Sequence, residues 1–258
     1  MQDDWLEISV CGWGREDRLW LLVHHIIWDD PSTVRCWDRL AMMLRETKKN
    51  EYGVALRIAR ACVDSGRHHT SAVYAFAAST LGVLALEGTF GSEPEQLIKS
   101  SRHYKSSPLV LATSNKIKAL LFYRFRIKDE ESPGFIRFDE SLDIDWFEQL
   151  GAEKMGRTYQ RGQLTHTFKP VPGRRNEALD CMAYNVAALA VLNVRNWDLL
   201  EKKQNALSRH ETAGQEENQA KEELSIQPDQ KQYQLLRRRR HKWVTGVLPN
   251  DWVNNWRM

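Results

Sequence analysis

Glu177 and Asp180 stand three residues apart at the start of a stretch, Arg175 to Leu192, that is otherwise apolar on most of its surface. On a helix that spacing puts both carboxylates on one face. Two ionised carboxylates beside a core repel each other and lose hydration, and a divalent cation is the strongest available compensation. A plainer role fits the same spacing: Glu177 supports the helix start, or pairs with Arg174 or Arg175 at the surface. Asp64 is the second candidate. It closes the alternating run Ala55 to Val63 and leads into Ser65-Gly66-Arg67-His68-His69-Thr70. The carboxyl end of a strand is where α/β folds place their sites, although an ordinary turn or cap aspartate reads the same way. Adjacent side chains diverge on most backbones, so His68 and His69 join a metal site only if both line one cleft. Lys116 and Lys118 open a helical stretch, where they can meet phosphates or simply be solvated.

Those residues need elements to hold them. Trp5 to Val10 alternates like a half-buried strand, and Gly12 and Gly14 mark a turn before the apolar run Leu19 to Trp28, which predicts a hairpin. On its second arm His24 and His25 point to opposite sides. Trp13, Trp20, Trp28 and Trp37 fall where packing explains them. The spacing predicts a helix over Val34 to Arg45, a strand over Ala55 to Val63 and a helix over Thr70 to Thr80. It then predicts a strand at Val83 to Leu86, mostly loop from Gly88 to Ser107, a strand at Leu109 to Ala112 and a helix at Lys116 to Phe125. A short strand at Phe135 to Phe138, a helix over Trp146 to Tyr159, a last strand at Leu164 to Phe168 and a helix from Arg175 to Leu192 complete the body. Such alternation of strand and helix implies an α/β sheet.

The chain has 258 residues, 42% hydrophobic and 28% charged, which suits one domain with an appendage. No run approaches the length of a membrane span, and the start Met1-Gln2-Asp3-Asp4-Trp5 lacks the features of a secretory signal. Cys11, Cys36, Cys62 and Cys181 are far apart in sequence, outside any zinc spacing, and read as reduced core thiols. The net charge of +3 lies wholly beyond residue 199, since residues 1–199 carry 26 basic and 26 acidic side chains. A neutral body holds a polyanion only through local patches, or through metal ions between carboxylates and phosphates. Glu201 to Lys231 is polar and rich in Gln and Glu, which reads as linker or exposed helix over residues 200–234. Arg237 to Arg240, followed by Trp243, Trp252 and Trp256, gives residues 235–258 the look of a docking tail for a protein or a polyanion. A phosphate-binding GxxxxGK[ST] loop is absent from the sequence, so this stretch is no ATP-driven motor of that kind.

Four blocks occur in an order that resembles a known family. They are Gln2 to Glu7 with Cys11-Gly12-Trp13-Gly14; Val63 to Thr70 with Val73-Tyr74; Phe147 to Glu153; and Arg174-Arg175-Asn176-Glu177-Ala178-Leu179-Asp180-Cys181 with Ala183-Tyr184. The chain is similar to the nuclease half of the large terminase subunit of lambda-like tailed phages, the GpA type. The resemblance spans roughly residues 2 to 192 and implies an RNase H-like mixed sheet flanked by helices over residues 1–199. It also implies a two-metal site using Mg²⁺ or Mn²⁺ that cuts double-stranded DNA during packaging. Carried over, Asp64 matches the acid closing a central strand, Asp180 the acid of the late helix and Glu177 its neighbour, with Asp4 at a position where some relatives carry an acid. His68, Lys116, Lys118, Arg174 and Arg175 would contact DNA. The family's first metal-binding Asp lies just before the segment matching Met1 to Asp4, so the chain starts after it. Glu87 replaces the usual Lys before Gly88, and Asn115 the usual Asp. The implied partners are DNA, the small terminase subunit and, through the tail, the portal, in the cytoplasm of the infected bacterium. Competing readings are a catalytically impaired adaptor that binds DNA or portal, and an unrelated RNase H-like recombinase, which the four blocks disfavour.

Overall fold

Trp5–Trp13 (β1) and Leu19–Trp28 (β2) pair antiparallel, Trp5 opposite Trp28, with a bulge between Val10 and Cys11. The predicted hairpin is present. The computed structural model describes residues 3–50, 53, 55–66, 69–89, 96–104, 107–160, 162–194, 197–198, 202 and 243–244. They divide into a larger unit, Met1–Leu44 with Ala59–Val194 and Trp243–Met258, and a smaller one, Arg45–Ile58 with Arg195–Lys242. Val34–Arg45 (α1) buries Cys36, Trp37 and Leu40, the spacing of a helix with one apolar face.

In the smaller unit Thr47–Lys49 (β3) and Ala55–Arg57 (β4) make a short antiparallel hairpin. Ala61–Asp64 (β5), in the larger unit, pairs in parallel with Val83–Thr89 (β6), which follows Thr70–Ser79 (α2). The single strand predicted over Ala55 to Val63 is therefore two strands with different partners. Alternation records the pleat and not the partner, so it ran unbroken through the change. The loop predicted from Gly88 to Ser107 also contains a strand, Ile98–Tyr104 (β7), antiparallel to Ser107–Thr113 (β8). It is an edge strand of polar sequence, and edges need backbone pairing more than apolar alternation.

Ser114–Arg124 (α3) follows β8 directly, and Ile136–Asp139 (β9) runs parallel to β2. Asp143 caps Ile144–Leu150 (α4) by accepting from the Trp146 N–H at 2.8 Å. The helix predicted over Trp146 to Tyr159 stops there. Gly151 caps its end, and Glu153–Gln160 (β10) turns at Gly162 into Gln163–Pro170 (β11), an antiparallel hairpin. Glu177–Leu192 (α5) and Trp243–Val244 (β12), antiparallel to β9, complete the described strands and α-helices.

The larger unit thus holds two four-stranded sheets, in the orders β1-β2-β9-β12 and β5-β6-β8-β7. One core joins Leu19, Leu21 and Phe138 to Ile117 and Leu121 of α3, Trp146 of α4, and Leu179 and Met182 of α5. The other joins Leu6, Ile27, Val83 and Leu109 to Trp37 of α1 and Phe76 of α2. Helices therefore cover the strands on two sides, the α/β architecture expected. Leu179 and Met182 are fully buried, which contributes about 1.5–3 kcal/mol each. Trp37 is buried and donates its Nε1–H to the Pro31 carbonyl at 2.7 Å, whereas Trp28 is 63% exposed and only leans on Trp5. Packing does not account for Trp28. All four cysteines are free, Cys36 buried and the others half-buried. Among the described residues no helix is long and apolar enough to cross a membrane.

Candidate active site

The strands β5, β6 and β8 run parallel, so their carboxyl ends lie together, at Asp64, at Thr89 and at Thr113 before α3. Asp64 leaves β5 into a turn pinned from several sides. The Ser65 N–H and Oγ both donate to the Leu86 carbonyl, at 2.8 and 2.9 Å, and the Thr70 hydroxyl donates to the Ser65 carbonyl at 3.0 Å. The Gly66 N–H donates to Asp64 Oδ1 at 2.9 Å, and a Cβ on Gly66 would stand 3.1 Å from that oxygen. The turn therefore fixes one Asp64 oxygen and keeps close backbone beside it.

The helix α5 packs along β1 and β5. Its buried residues Ala178, Leu179, Met182, Ala183 and Val186 belong to the core, while Cys181 donates to the Glu7 carbonyl and Asn185 to the Ser9 carbonyl on β1. Asp180 and Tyr184, one turn apart, face Asp64: the Tyr184 hydroxyl donates to the Asp64 carboxylate, and both acids act on it electrostatically. Burial, then Asp180 and Asp64, push the Tyr184 phenol well above its ordinary value, so it stays a neutral donor.

Behind Asp180 lies a bridged pair of acids. Lys118 Nζ donates to Glu153 Oε1 at 2.5 Å and pairs with Asp180 Oδ1 at 2.7 Å. The Asn176 amide makes a second bridge between the same two carboxylates, donating to Glu153 Oε1 at 2.7 Å and Asp180 Oδ2 at 3.2 Å. Glu153 is 2% exposed and Lys118 8%. Burial works against the Lys118 charge, but Asp180 and Glu153 outweigh it and hold the ammonium above the usual lysine range. Burial pushes the Asp180 carboxyl up; Lys118 opposes the shift, and Glu153 and Asp64 add to it. Two carboxylates share one lysine, so a net negative charge is held where water is scarce.

The sequence-predicted residues divide. Asp64 lies near enough to Asp180 to add to the upward push on its carboxyl. Glu177 accepts from Arg175 Nε at 3.2 Å, and Arg175 reaches on to the buried carboxylate of Glu7 while stacking over Trp5. Glu7 in turn lies 3.3 Å from His24 Nε2. Lys118 is a buried bridge between acids, while the Lys116 ammonium is buried with no hydrogen-bond partner among the described residues. Arg174 and Asp4 are exposed. His69, in the left-handed region at the start of α2, lies 3.6 Å from Asp3; His68 lies outside the described residues. Glu153, Asn176 and Tyr184 were not among the site residues read from sequence, although each falls inside a family-like block. The block was the signal, and no spacing rule links them.

A divalent cation fits the donor set in part. Asp64 and Asp180 are oxygen ligands of the hard type that Mg²⁺ and Mn²⁺ prefer, and the surplus negative charge calls for a cation. Among the described residues no three His, Cys, Asp or Glu side chains converge as ready metal ligands, because Glu153 is turned to Lys118 and Asn176.

The family model described as terminase large subunit gpA, endonuclease domain, matches residues 1–199. The chain belongs to this terminase endonuclease family. The large terminase subunit of Escherichia phage lambda is 27% identical over 210 residues, covering 77% of this chain and 32% of that protein. The large terminase subunit of Enterobacteria phage P21 is 26% identical over 203 residues, covering 75% of this chain and 31% of its own length. The chain spans about a third of the length of these curated relatives. No solved structure matches it. In this terminase endonuclease chain the acidic cluster lies wholly within the matched residues.

Proposed function

We propose that the chain is a divalent-metal-dependent DNA endonuclease, the cutting part of a terminase large subunit, with Asp64 and Asp180 as its metal ligands. The observation that carries this reading is the electrostatic coupling of Asp64 to Asp180, which shares a buried lysine with Glu153, inside the family match. Mg²⁺ or Mn²⁺ bound there would polarise a DNA phosphodiester and lower the pKa of an attacking water. The chain's own residues do the rest. Gly66 and Tyr184 aim Asp64, while Lys118 and Asn176 hold Asp180 through both of its oxygens. Arg175 ties Glu177 and Glu7 together and so steadies the start of α5, which makes Glu177 a support. Exposed Arg174 is free to meet phosphates, whereas the Lys116 ammonium is buried and would have to open to reach one. In the reaction water adds to phosphorus, the P–O3′ bond breaks, and the departing 3′ oxygen takes up a proton.

Support for an RNase H-like reading comes from the order of elements: an antiparallel hairpin β1–β2, then parallel strands β5 and β6, then a late acidic helix packed on both β1 and β5. The substrate would be concatemeric double-stranded DNA at genome packaging, in the cytoplasm of the infected bacterium. The partners would be the small terminase subunit and the portal; the tail proposed to dock the portal, residues 235–258, lies outside the described residues except for β12. The adaptor reading is favoured by one observation, that Glu153 is committed to Lys118 and not free to bind metal. Incubating supercoiled plasmid with Mn²⁺ decides between them. Cleavage that disappears in Asp180→Asn, with folding intact by circular dichroism, supports the nuclease; cleavage equal in the variant shows the site is wrongly assigned.

A further inference from the structure

We infer that the β10–β11 ribbon grips the sugar-phosphate backbone of duplex DNA, with Lys154 and Lys169 as paired phosphate contacts at its base. The inference rests on the reading above that DNA is the substrate, and it adds where the duplex is held. Residues 1–199 carry equal numbers of basic and acidic side chains, yet from Lys154 to Asn176 there are six basic residues and no Asp or Glu. Arg175 is spent on Glu7 and Glu177, which leaves Lys154, Arg157, Arg161, Lys169 and Arg174. In the chain this stretch lies between Glu153 and the helix that carries Asp180, the two acids that share Lys118. A neutral body therefore gathers positive charge next to its acidic cluster, where a polyanionic substrate must be held.

Lys154 and Lys169 stand directly opposite one another in the hairpin register, as do Gly156 and Thr167, and both lysines are exposed. Side chains alternate along a strand, so these four positions share one face while Glu153 turns the other way, into the protein. With Arg157 and Pro172 they line a groove of about 290 Å³. Gly156 leaves that groove open, since a Cβ there would already stand 3.2 Å from Thr167 Oγ1. Like charges directly opposite each other across two strands destabilise a hairpin. The ribbon has no acid except Glu153 to offset them, and Glu153 is turned to Lys118. A phosphate between the two ammonium groups converts that repulsion into attraction. Lysine is depleted at protein–protein interfaces and is a regular contact of DNA phosphates, so the face suits a nucleic-acid backbone better than a protein partner.

The test measures binding of a fluorescein-labelled DNA duplex to the full chain by fluorescence anisotropy, in EDTA so that nothing is cut. Lys154→Gln combined with Lys169→Gln is expected to weaken binding about tenfold or more at about 100 mM NaCl. It should also lower the slope of log Kd against log NaCl concentration by about 2, equally for two duplexes of unrelated sequence. Lys154→Arg with Lys169→Arg should bind like wild type, and so should Lys49→Gln with Lys128→Gln, which removes two exposed lysines elsewhere in the chain. Each single glutamine variant should melt no lower than wild type, because the opposed charges are relieved; a lower melting temperature makes the lysines structural and overturns the inference. Unchanged affinity in the Lys154/Lys169 double variant, an equal loss in the Lys49/Lys128 control, or displacement by poly-L-glutamate as readily as by unlabelled duplex overturns it as well, while leaving the nuclease reading standing. A wild-type chain that binds no duplex at low salt and leaves plasmid whole in Mn²⁺ overturns that reading itself.

Discussion

Replacing Lys118 with Met removes the cation from between two carboxylates while keeping most of the side-chain volume. Glu153 is then left with an ionised carboxylate at 2% exposure and, among the described residues, only the Asn176 amide as a neutral partner. Breaking a buried ion pair by removing one partner costs about 3–5 kcal/mol. The lower end applies, because the Asp180 side chain is 30% exposed and recovers some hydration. A loss of about 3 kcal/mol lowers the melting temperature by roughly 6–12 °C in a domain of this size. Urea and thermal unfolding followed by circular dichroism, in a chelating buffer, read the loss. Glu153→Gln in the same chain removes the stranded charge and should restore much of it, with a coupling energy of about 2 kcal/mol in the double-mutant cycle. Stability of Lys118→Met within about 1 kcal/mol of wild type, or strict additivity in the cycle, refutes the buried bridge.

Two further outcomes follow from the same packing. Burial pushes the Cys62 and Cys181 thiols up to about 12 and that of Cys36 to about 11, from an ordinary value of 9.0. A thiol raised on folding contributes stability that is complete below its unfolded pKa and is lost as pH rises through the folded one. The melting temperature should therefore hold up to about pH 9 and fall between pH 9 and 12, less steeply in Cys62→Ala; an equal alkaline slope in that variant contradicts the assignment. Glu177→Gln should weaken Mn²⁺ binding by less than threefold while lowering the melting temperature by a few degrees, because Glu177 pairs with Arg175, and calorimetric titration that shows the loss typical of a ligand would place it back among the metal acids.

Asp64 and α5 were legible in the sequence for a physical reason. A strand that ends in an acid before a Ser-Gly turn, and a helix apolar on nearly all sides, carry their own local signatures. The break between β4 and β5 was not legible, since pleat periodicity is blind to which strand lies alongside. The helix expected over Trp146 to Tyr159 failed because Trp146, Phe147 and Leu150 set a helical spacing that Gly151 ends, and the residues beyond it pair with β11. That error hid Glu153, which lies on the first residue of β10 and meets Lys118 only through the tertiary fold. Lys118 itself looked like a solvated first-turn lysine, and only burial by α5 and β10 shows it as a counterion. Trp28 misled in the opposite direction: its strand is buried at Ile27, yet the strand end leaves the indole in water.

The most direct trial is a crystal of the full chain soaked in MnCl₂ and measured at the manganese absorption edge. The anomalous difference map should show a peak at coordination distance from carboxylate oxygens of both Asp64 and Asp180, with the Lys118 ammonium still between Asp180 and Glu153. Manganese bound elsewhere, or ordered crystals in which Asp64 and Asp180 share no ion at saturating metal, would contradict it.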